Sequence, residues 1–213
     1  MNIILFGPPG AGKGTQAQFI VKKHNYFQLS TGDLLRDETK KKTVLGKKIE
    51  NIISKGNFVS DEIVNNLLKQ TILNLKFRDR IIFDGYPRTI DQAKNLNLIL
   101  EEFDQKIELI ISLNVPREII EKRIIGRVTC DKCNLTLNEY FNKEEIDLHP
   151  CGKEFFIKRK DDNLETIMSR YDIYKKTTQP VLNFLSKNSN FNEIDGTLQI
   201  DEITAKIDGF VRV

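Results

Sequence analysis

The stretch Gly7-Pro8-Pro9-Gly10-Ala11-Gly12-Lys13-Gly14-Thr15 constrains this chain more than any other. It fits G-x-x-x-x-G-K with the hydroxyl residue displaced by one place. It follows a short apolar run, Asn2 to Phe6, and opens a segment of helical periodicity, Gly12 to His24. A glycine-rich turn between a strand and a helix is a phosphate cradle. Its successive backbone N–H groups curl round an anion, the helix N-terminus adds positive potential, and the lysine supplies a point charge for the β and γ phosphates. Gly10, Ala11, Gly12, Lys13, Gly14 and Thr15 are therefore candidate contacts to a nucleoside triphosphate, with Thr15 the hydroxyl on the Mg²⁺ side.

The rest of the chain supplies the frame that such a loop needs. Apolar runs recur at Tyr26 to Leu29, Arg80 to Phe83, Ile107 to Leu113 and Phe191 to Ile194. Between them lie amphipathic stretches, Asp61 to Leu75, Asp91 to Phe103, Pro116 to Ile125 and Asp162 to Lys187, and a last helix, Asp201 to Val211. Unbroken apolar runs alternating with helical periods predict an α/β domain whose parallel strands are buried on both faces by crossover helices. Pro180 is expected to kink or divide the helix that contains it. Two stretches break the rhythm: Leu34 to Phe58 reads as a small helical excursion, and Val128 to Lys158 as a small β-rich insertion. A length of 213 residues suits one compact domain with small inserted lobes. Lys plus Arg is 33 against 30 for Asp plus Glu, so anionic partners must be met locally and not by a global charge excess. The apolar run near Met1 is too short for a signal or spanning segment, which predicts an intracellular, cytoplasmic protein without a membrane partner.

A second cluster, Asp84-Gly85-Tyr86-Pro87-Arg88, directly follows a predicted strand, at the end of the sheet where ligands of open α/β folds bind. Asp84 suits a Mg²⁺-water contact and Arg88 a phosphate contact. With Leu29-Ser30-Thr31-Gly32-Asp33-Leu34-Leu35-Arg36, Glu121-Lys122-Arg123-Ile124-Ile125-Gly126-Arg127 and Arg159-Lys160-Asp161-Asp162-Asn163, these motifs give the chain an order and spacing that resembles the adenylate kinase family over nearly its whole length. The resemblance implies a P-loop NTPase-type five-stranded parallel sheet flanked by helices. It implies a core of residues 1–29, 60–126 and 160–213, a mobile AMP-binding lobe of residues 30–59 and a mobile lid of residues 127–159. It also implies reversible Mg²⁺-dependent phosphoryl transfer from ATP to AMP, giving two ADP, in a monomer.

Phosphoryl transfer asks the protein for alignment and for cations around the transferring oxygens. By family position, Arg36 and Arg88 are AMP phosphate contacts and Arg123 and Arg127 are ATP contacts. Arg159 and Arg170 reach AMP and the transferring phosphate, and with Lys13 these arginines form a cationic cage. Thr31, Gly32, Val59, Gly85 and Gln92 fill the positions that read the acceptor base, and Thr31 favours AMP over pyrimidine monophosphates. Thr31 and Asp33 also suit capping of a helix beginning near Leu34. Gly196 matches a loop that packs on the adenine of ATP. Kinases of UMP, CMP or GMP would share the cage, and Thr31 and Gln92 argue against them.

Cys130 and Cys133 form a C-x-x-C pair, and seventeen residues separate Cys133 from Cys151. Some long-lid adenylate kinases bind zinc through two such pairs. The resemblance places Cys151 on the fourth ligand, with His149 the nearest substitute for the third; Glu154 would serve instead if Cys151 were the third. A structural zinc needs four ligands. A nucleic-acid-binding zinc ribbon is the competing reading of this insertion. The acidity between Glu139 and Asp147 and the lack of interleaved basic and aromatic residues argue against it, so no nucleic-acid partner is expected.

Overall fold

A computed structural model describes residues 1–74, 79–158, 163–187 and 190–211. The chain runs β1 (Asn2–Phe6), α1 (Lys13–His24), β2 (Phe27–Ser30), α2 (Thr31–Lys40), α3 (Val44–Ser54), α4 (Asp61–Asn74), β3 (Ile81–Asp84) and α5 (Ile90–Glu101). It continues through β4 (Ile107–Asn114), α6 (Arg117–Ile125), β5 (Arg127–Cys130), β6 (Thr136–Asn138), α7 (Lys143–Asp147) and β7 (Phe156–Ile157). The last elements are α8 (Leu164–Ile173), α9 (Gln179–Leu185), β8 (Phe191–Asp195) and α10 (Ile200–Val211).

The main sheet has five parallel strands in the order β2-β3-β1-β4-β8. Central β1 sets Ile4 opposite Phe83 on one side and Ile110 on the other. Side chains alternate across the sheet with period 2, so its apolar residues fall into two layers. Ile4, Phe6, Phe83 and Ile110 join Leu68, Leu96, Leu100 and Val181 in one. Ile3, Leu5, Ile82 and Ile111 join Ile20, Ile203 and Ile207 in the other. Burial on both faces is why the strands read as continuous apolar runs.

The predicted strands and the structure agree within a residue or two at each end. Two helix readings are corrected. α2 begins at Thr31 and not near Leu34, because Ser30 is the cap: its Oγ accepts the Asp33 N–H at 3.2 Å. Thr31 is thus freed for a tertiary bond. The stretch read as one helix from Asp162 to Lys187 begins outside the described residues, and its last two residues, Ser186 and Lys187, form a turn. Within the stretch α8 is separated from α9 by a π-helical turn, Tyr174–Thr178. Pro180 lies in the first turn of α9, where its missing N–H is tolerated, so the irregularity precedes the proline.

The excursion after β2 is a helical pair. Thr43 caps α3 by accepting the Gly46 N–H at 2.9 Å, and the buried Ile49 joins the same apolar layer as Leu35 and Val59. Gly46 is where α3 meets α2: a Cβ there would stand 2.6 Å from the Glu38 carbonyl oxygen. The insertion after α6 is a three-stranded antiparallel sheet in the order β6-β5-β7. Alanine in place of glycine inside a helix ordinarily stabilises by about 1 kcal/mol. Gly46→Ala is expected to do the reverse, costing about 1–3 kcal/mol through forced separation of α2 from α3, as read by urea unfolding of the two proteins.

Candidate active site

The glycine-rich loop leaves β1 and turns into α1 at Gly12, which has φ 99° and caps the helix in a left-handed conformation that L side chains rarely adopt. Gly10 is required by close approach as well as by φ: a Cβ there would meet the Ile124 side chain at 2.7 Å. The Lys13 ammonium folds back over the loop and donates to the carbonyls of Gly7 at 2.8 Å and Pro8 at 3.1 Å. Burial pushes its pKa down to about 8. Asp84 opposes that shift, while Arg88 and Arg127 add to it. Gly14 and Thr15 are exposed at the start of α1, open to a ligand.

Asp84 ends β3, and its Oδ2 accepts from Gln28 Nε2 at 2.9 Å across the β2–β3 pair. The loop that follows converges on one carbonyl. Gly85 O accepts from Thr31 Oγ1 at 2.9 Å and from Arg88 Nε at 2.7 Å, which ties the start of α2 to the arginine. The Arg88 guanidinium lies over the Phe58 ring, 4.5 Å from its centroid. Burial pulls the Arg88 pKa down to about 10. Arg170 and Arg36 push the same way and Asp84 opposes them. Lys13, Arg88, Arg127, Arg170 and Arg36 thus form a single electrostatic neighbourhood. Arg36 is held on its own helix by Asp33, and Arg170 donates to Ile53 O at 3.4 Å. Gly32 lies under Arg36, whose guanidinium nitrogens stand 3.2 Å from where its Cβ would be. Val59 is buried, and Gln92 is buried with both ends of its amide engaged, by Asp61 and by the Arg88 N–H.

The far side of the loop is closed by Arg123, which donates to Gly196 O at 2.8 Å and to Ala11 O at 3.4 Å. Gly196 is fixed in turn: its N–H reaches Asn114 O at 2.8 Å, and Asp195 caps the next turn through Thr197. Arg127 opens β5. Arg159 lies outside the described residues.

In the insertion, one donor atom each from Cys130, Cys133, His149 and Cys151 lie within 4.8 Å of one another. Cys133 Sγ and His149 Nε2 are 3.3 Å apart. Glu154 is not in that group. Burial pushes the Cys130 thiol up, but the backbone N–H groups of Cys133 and Lys132, with the Cys133 and His149 side chains, outweigh it and bring it to about 6. Burial pushes the Cys151 thiol up to about 11, with Cys133 and Cys130 adding to the shift. Three sulfurs and an imidazole at this spacing suit zinc.

A family model described as adenylate kinase matches residues 5–190. An adenylate kinase of Pelagibacter ubique is 70% identical over 213 residues, covering all of both chains. The chain belongs to the adenylate kinase family. More distant adenylate kinases are also similar to it. That of Novosphingobium aromaticivorans is 40% identical over 99% of each chain, and that of Archaeoglobus fulgidus is 38% identical over 99% of this chain and 98% of its own. The reaction is reversible phosphoryl transfer between ATP and AMP, giving two ADP, and ATP is used with Mg²⁺. Among the described residues no helix is long and apolar enough to cross a membrane.

Three participants in this adenylate kinase fold escaped the sequence reading. Gln28 holds Asp84, Phe58 lies beneath Arg88, and Asp61 holds Gln92. Asp61 was legible only as the start of a helix, and Gln28 and Phe58 carried no local signal, since each acts through a partner distant in sequence. A pH dependence follows from Lys13. Burial disfavours its charge, so the free enzyme loses the proton near pH 8, and above that the loop meets ATP without its ammonium. The kcat/KM for ATP is expected to fall as pH rises through about 8, and a Lys13→Met variant, far less active throughout, is expected to lose that inflection in the same pH–rate profile.

Proposed function

We propose that the residues of this basin divide the reaction as follows. Gly10, Ala11, Gly12, Gly14 and Thr15 hold the ATP phosphates through backbone N–H groups and the Thr15 hydroxyl, and Lys13 reaches the β and γ phosphates. Arg123 and Arg127 complete the ATP side, and Gly196 packs on its adenine. Arg36, Arg88, Arg159 and Arg170 take the AMP phosphate and the transferring group, while Thr31, Gly32, Val59, Gly85 and Gln92 enclose the acceptor base. Thr15 and Asp84 would hold Mg²⁺ through its water shell, and the ion would supply neutralisation of the phosphate charge. An oxygen of the AMP phosphate attacks the γ phosphorus in line, the bond to the β–γ bridging oxygen breaks, and that oxygen leaves with ADP. The reading rests chiefly on one observation, the joining of Thr31, Gly85 and Arg88 at a single carbonyl beside Asp84 and Lys13.

Residues 1–29, 60–126 and 160–213 act as the core. Residues 30–59 form the lobe that closes over AMP, and residues 127–159 the lid that closes over ATP; adenylate kinase lids are a familiar instance of closure that keeps water from the phosphoryl group. The enzyme works as a cytoplasmic monomer, a reading that follows from its membership of the adenylate kinase family. Cys130, Cys133, His149 and Cys151 would hold zinc. It serves the stability of the lid, since all four donors belong to protein ligands and leave no position for substrate.

Purified enzyme with Mg·ATP is expected to make diphosphate from AMP in preference to CMP, UMP or GMP. Arg88→Ala is expected to lower kcat/KM for AMP by about 10³ to 10⁵, the range for phosphate-clamping arginines; a rate near wild type in a coupled ADP assay would overturn the role of Arg88. Chelation of the lid metal is expected to lower the first melting transition while protein that stays folded keeps nearly its full turnover. Prompt loss of turnover without unfolding would contradict a structural role.

A further inference from the structure

The Gln92 amide is gripped from both ends by groups of fixed polarity. Its Nε2 donates to Asp61 Oδ1 at 2.6 Å, and its Oε1 accepts the Arg88 N–H at 2.7 Å. A carboxylate only accepts and a backbone N–H only donates, so the amide has one stable orientation. Turning it over would set oxygen against oxygen at Asp61 and N–H against N–H at Arg88, with Gln92 only 4% exposed. Asp61 is itself fixed. Its Oδ2 accepts from Thr89 Oγ1 at 3.1 Å, and it stands as the first residue of α4, where the helix N-terminus favours a negative charge. Thr89 in turn caps α5 by accepting the Gln92 N–H at 3.1 Å.

We propose that Asp61 is a specificity-determining residue for the acceptor, because it fixes which way the Gln92 amide faces and so selects a 6-amino purine over a 6-oxo purine. The inference rests on the reading of Gln92 as a contact to the acceptor base. Beyond its bonds to Asp61 and Arg88, the amide retains one N–H on Nε2 and one lone pair on Oε1. That donor and acceptor match adenine, whose amino group donates and whose neighbouring ring nitrogen accepts. A 6-oxo purine presents a carbonyl where adenine presents the amino group, and two oxygens then face each other. An enzyme whose amide was free to turn would accept both. Asp61 touches no substrate in this scheme; it is a positioning residue that acts through Gln92.

AMP and inosine monophosphate test this, since between them the amino group at position 6 becomes an oxo group and the neighbouring ring nitrogen changes from acceptor to donor. The kcat/KM for each is measured in wild type, Asp61→Asn, Asp61→Ala and Gln92→Ala, with KM for ATP and a melting curve for every protein. Asparagine keeps the shape of Asp61 but can meet either end of the Gln92 amide, leaving the Arg88 N–H as the one partner of fixed polarity, so it separates polarity from packing if the alanine variant is unstable. The expected result is a fall of about tenfold in the AMP-to-IMP ratio in both Asp61 variants, the worth of one net hydrogen bond. It should arise through KM for the monophosphate, with KM for ATP unchanged. A ratio within twofold of wild type in Asp61→Asn, while Gln92→Ala lowers it, overturns the role of Asp61 and leaves Gln92 as the base contact. An equal loss on both substrates in Asp61→Asn also overturns it, leaving a purely structural carboxylate. If Gln92→Ala does not change the ratio, the base-contact reading fails, and this inference fails with it.

Discussion

Burial depresses the charged forms of both Lys13 and Arg88; Arg88 and Arg127 add to the effect on Lys13, Arg170 and Arg36 to that on Arg88, and Asp84 opposes it in both. Holding like charges together at the edge of a buried sheet costs free energy in the empty enzyme. The compensation comes when polyanionic substrates enter, because the same desolvation that penalises a cation alone strengthens its attraction to phosphate. The fold supplies the rigidity that this requires. β1 and β3 are neighbours in the sheet, so the loop carrying Lys13 and the loop carrying Asp84 and Arg88 leave from adjacent strand ends and cannot drift apart.

The partners of Lys13, Arg88 and Arg123 follow a pattern. Lys13 donates to Gly7 and Pro8, Arg88 to Gly85, and Arg123 to Ala11 and Gly196, in each of these bonds at a backbone carbonyl. Neutral carbonyls satisfy the donors without setting up the strong, bidentate pairs that carboxylates form with arginine. Exchange of such a partner for phosphate is favourable. Arg36 departs from the pattern by pairing with Asp33 within its own helix, and because both residues are partly exposed that pair contributes little and is readily opened.

How much of this was legible depended on the range of the interaction. The five parallel strands, the phosphate loop and the second cluster at Asp84 to Arg88 are written in local periodicity and spacing, and the structure reproduces them. The capping of α2 was misread because Ser30 and Thr31 are chemically near-equivalent caps; which of them performs that task depends on the Gly85 carbonyl, fifty-four residues away. The irregularity read at Pro180 lies in the preceding turn for a similar reason, since the proline in the first turn of α9 needs no kink. Gln28 and Asp61 were invisible because each holds a functional residue through a bond that only the folded chain creates. The fourth donor of the lid was ambiguous between His149 and Glu154 until Cys130, Cys133 and Cys151 were brought to one point with the imidazole among them.

The lid itself shows why a metal suits it. Of the described insertion residues, Val128, Cys130 and Asn138 are buried, whereas Tyr140, Phe141, Leu148 and Ile157 face solvent. A three-stranded sheet with so small an apolar interior gains little from the hydrophobic effect. What remains is peripheral: the Lys158–Glu139 and Lys153–Asp147 pairs, the Lys132 ammonium over Phe155, and the His149 ring against Phe156. Exposed pairs of this kind contribute little each. Four donors gathered at one point can replace a core, because metal binding there is coupled to the folding of the segment that carries them. A lobe stabilised from within in this way would not need extensive packing against the main sheet to stay folded, and the proposed closure over ATP requires that independence.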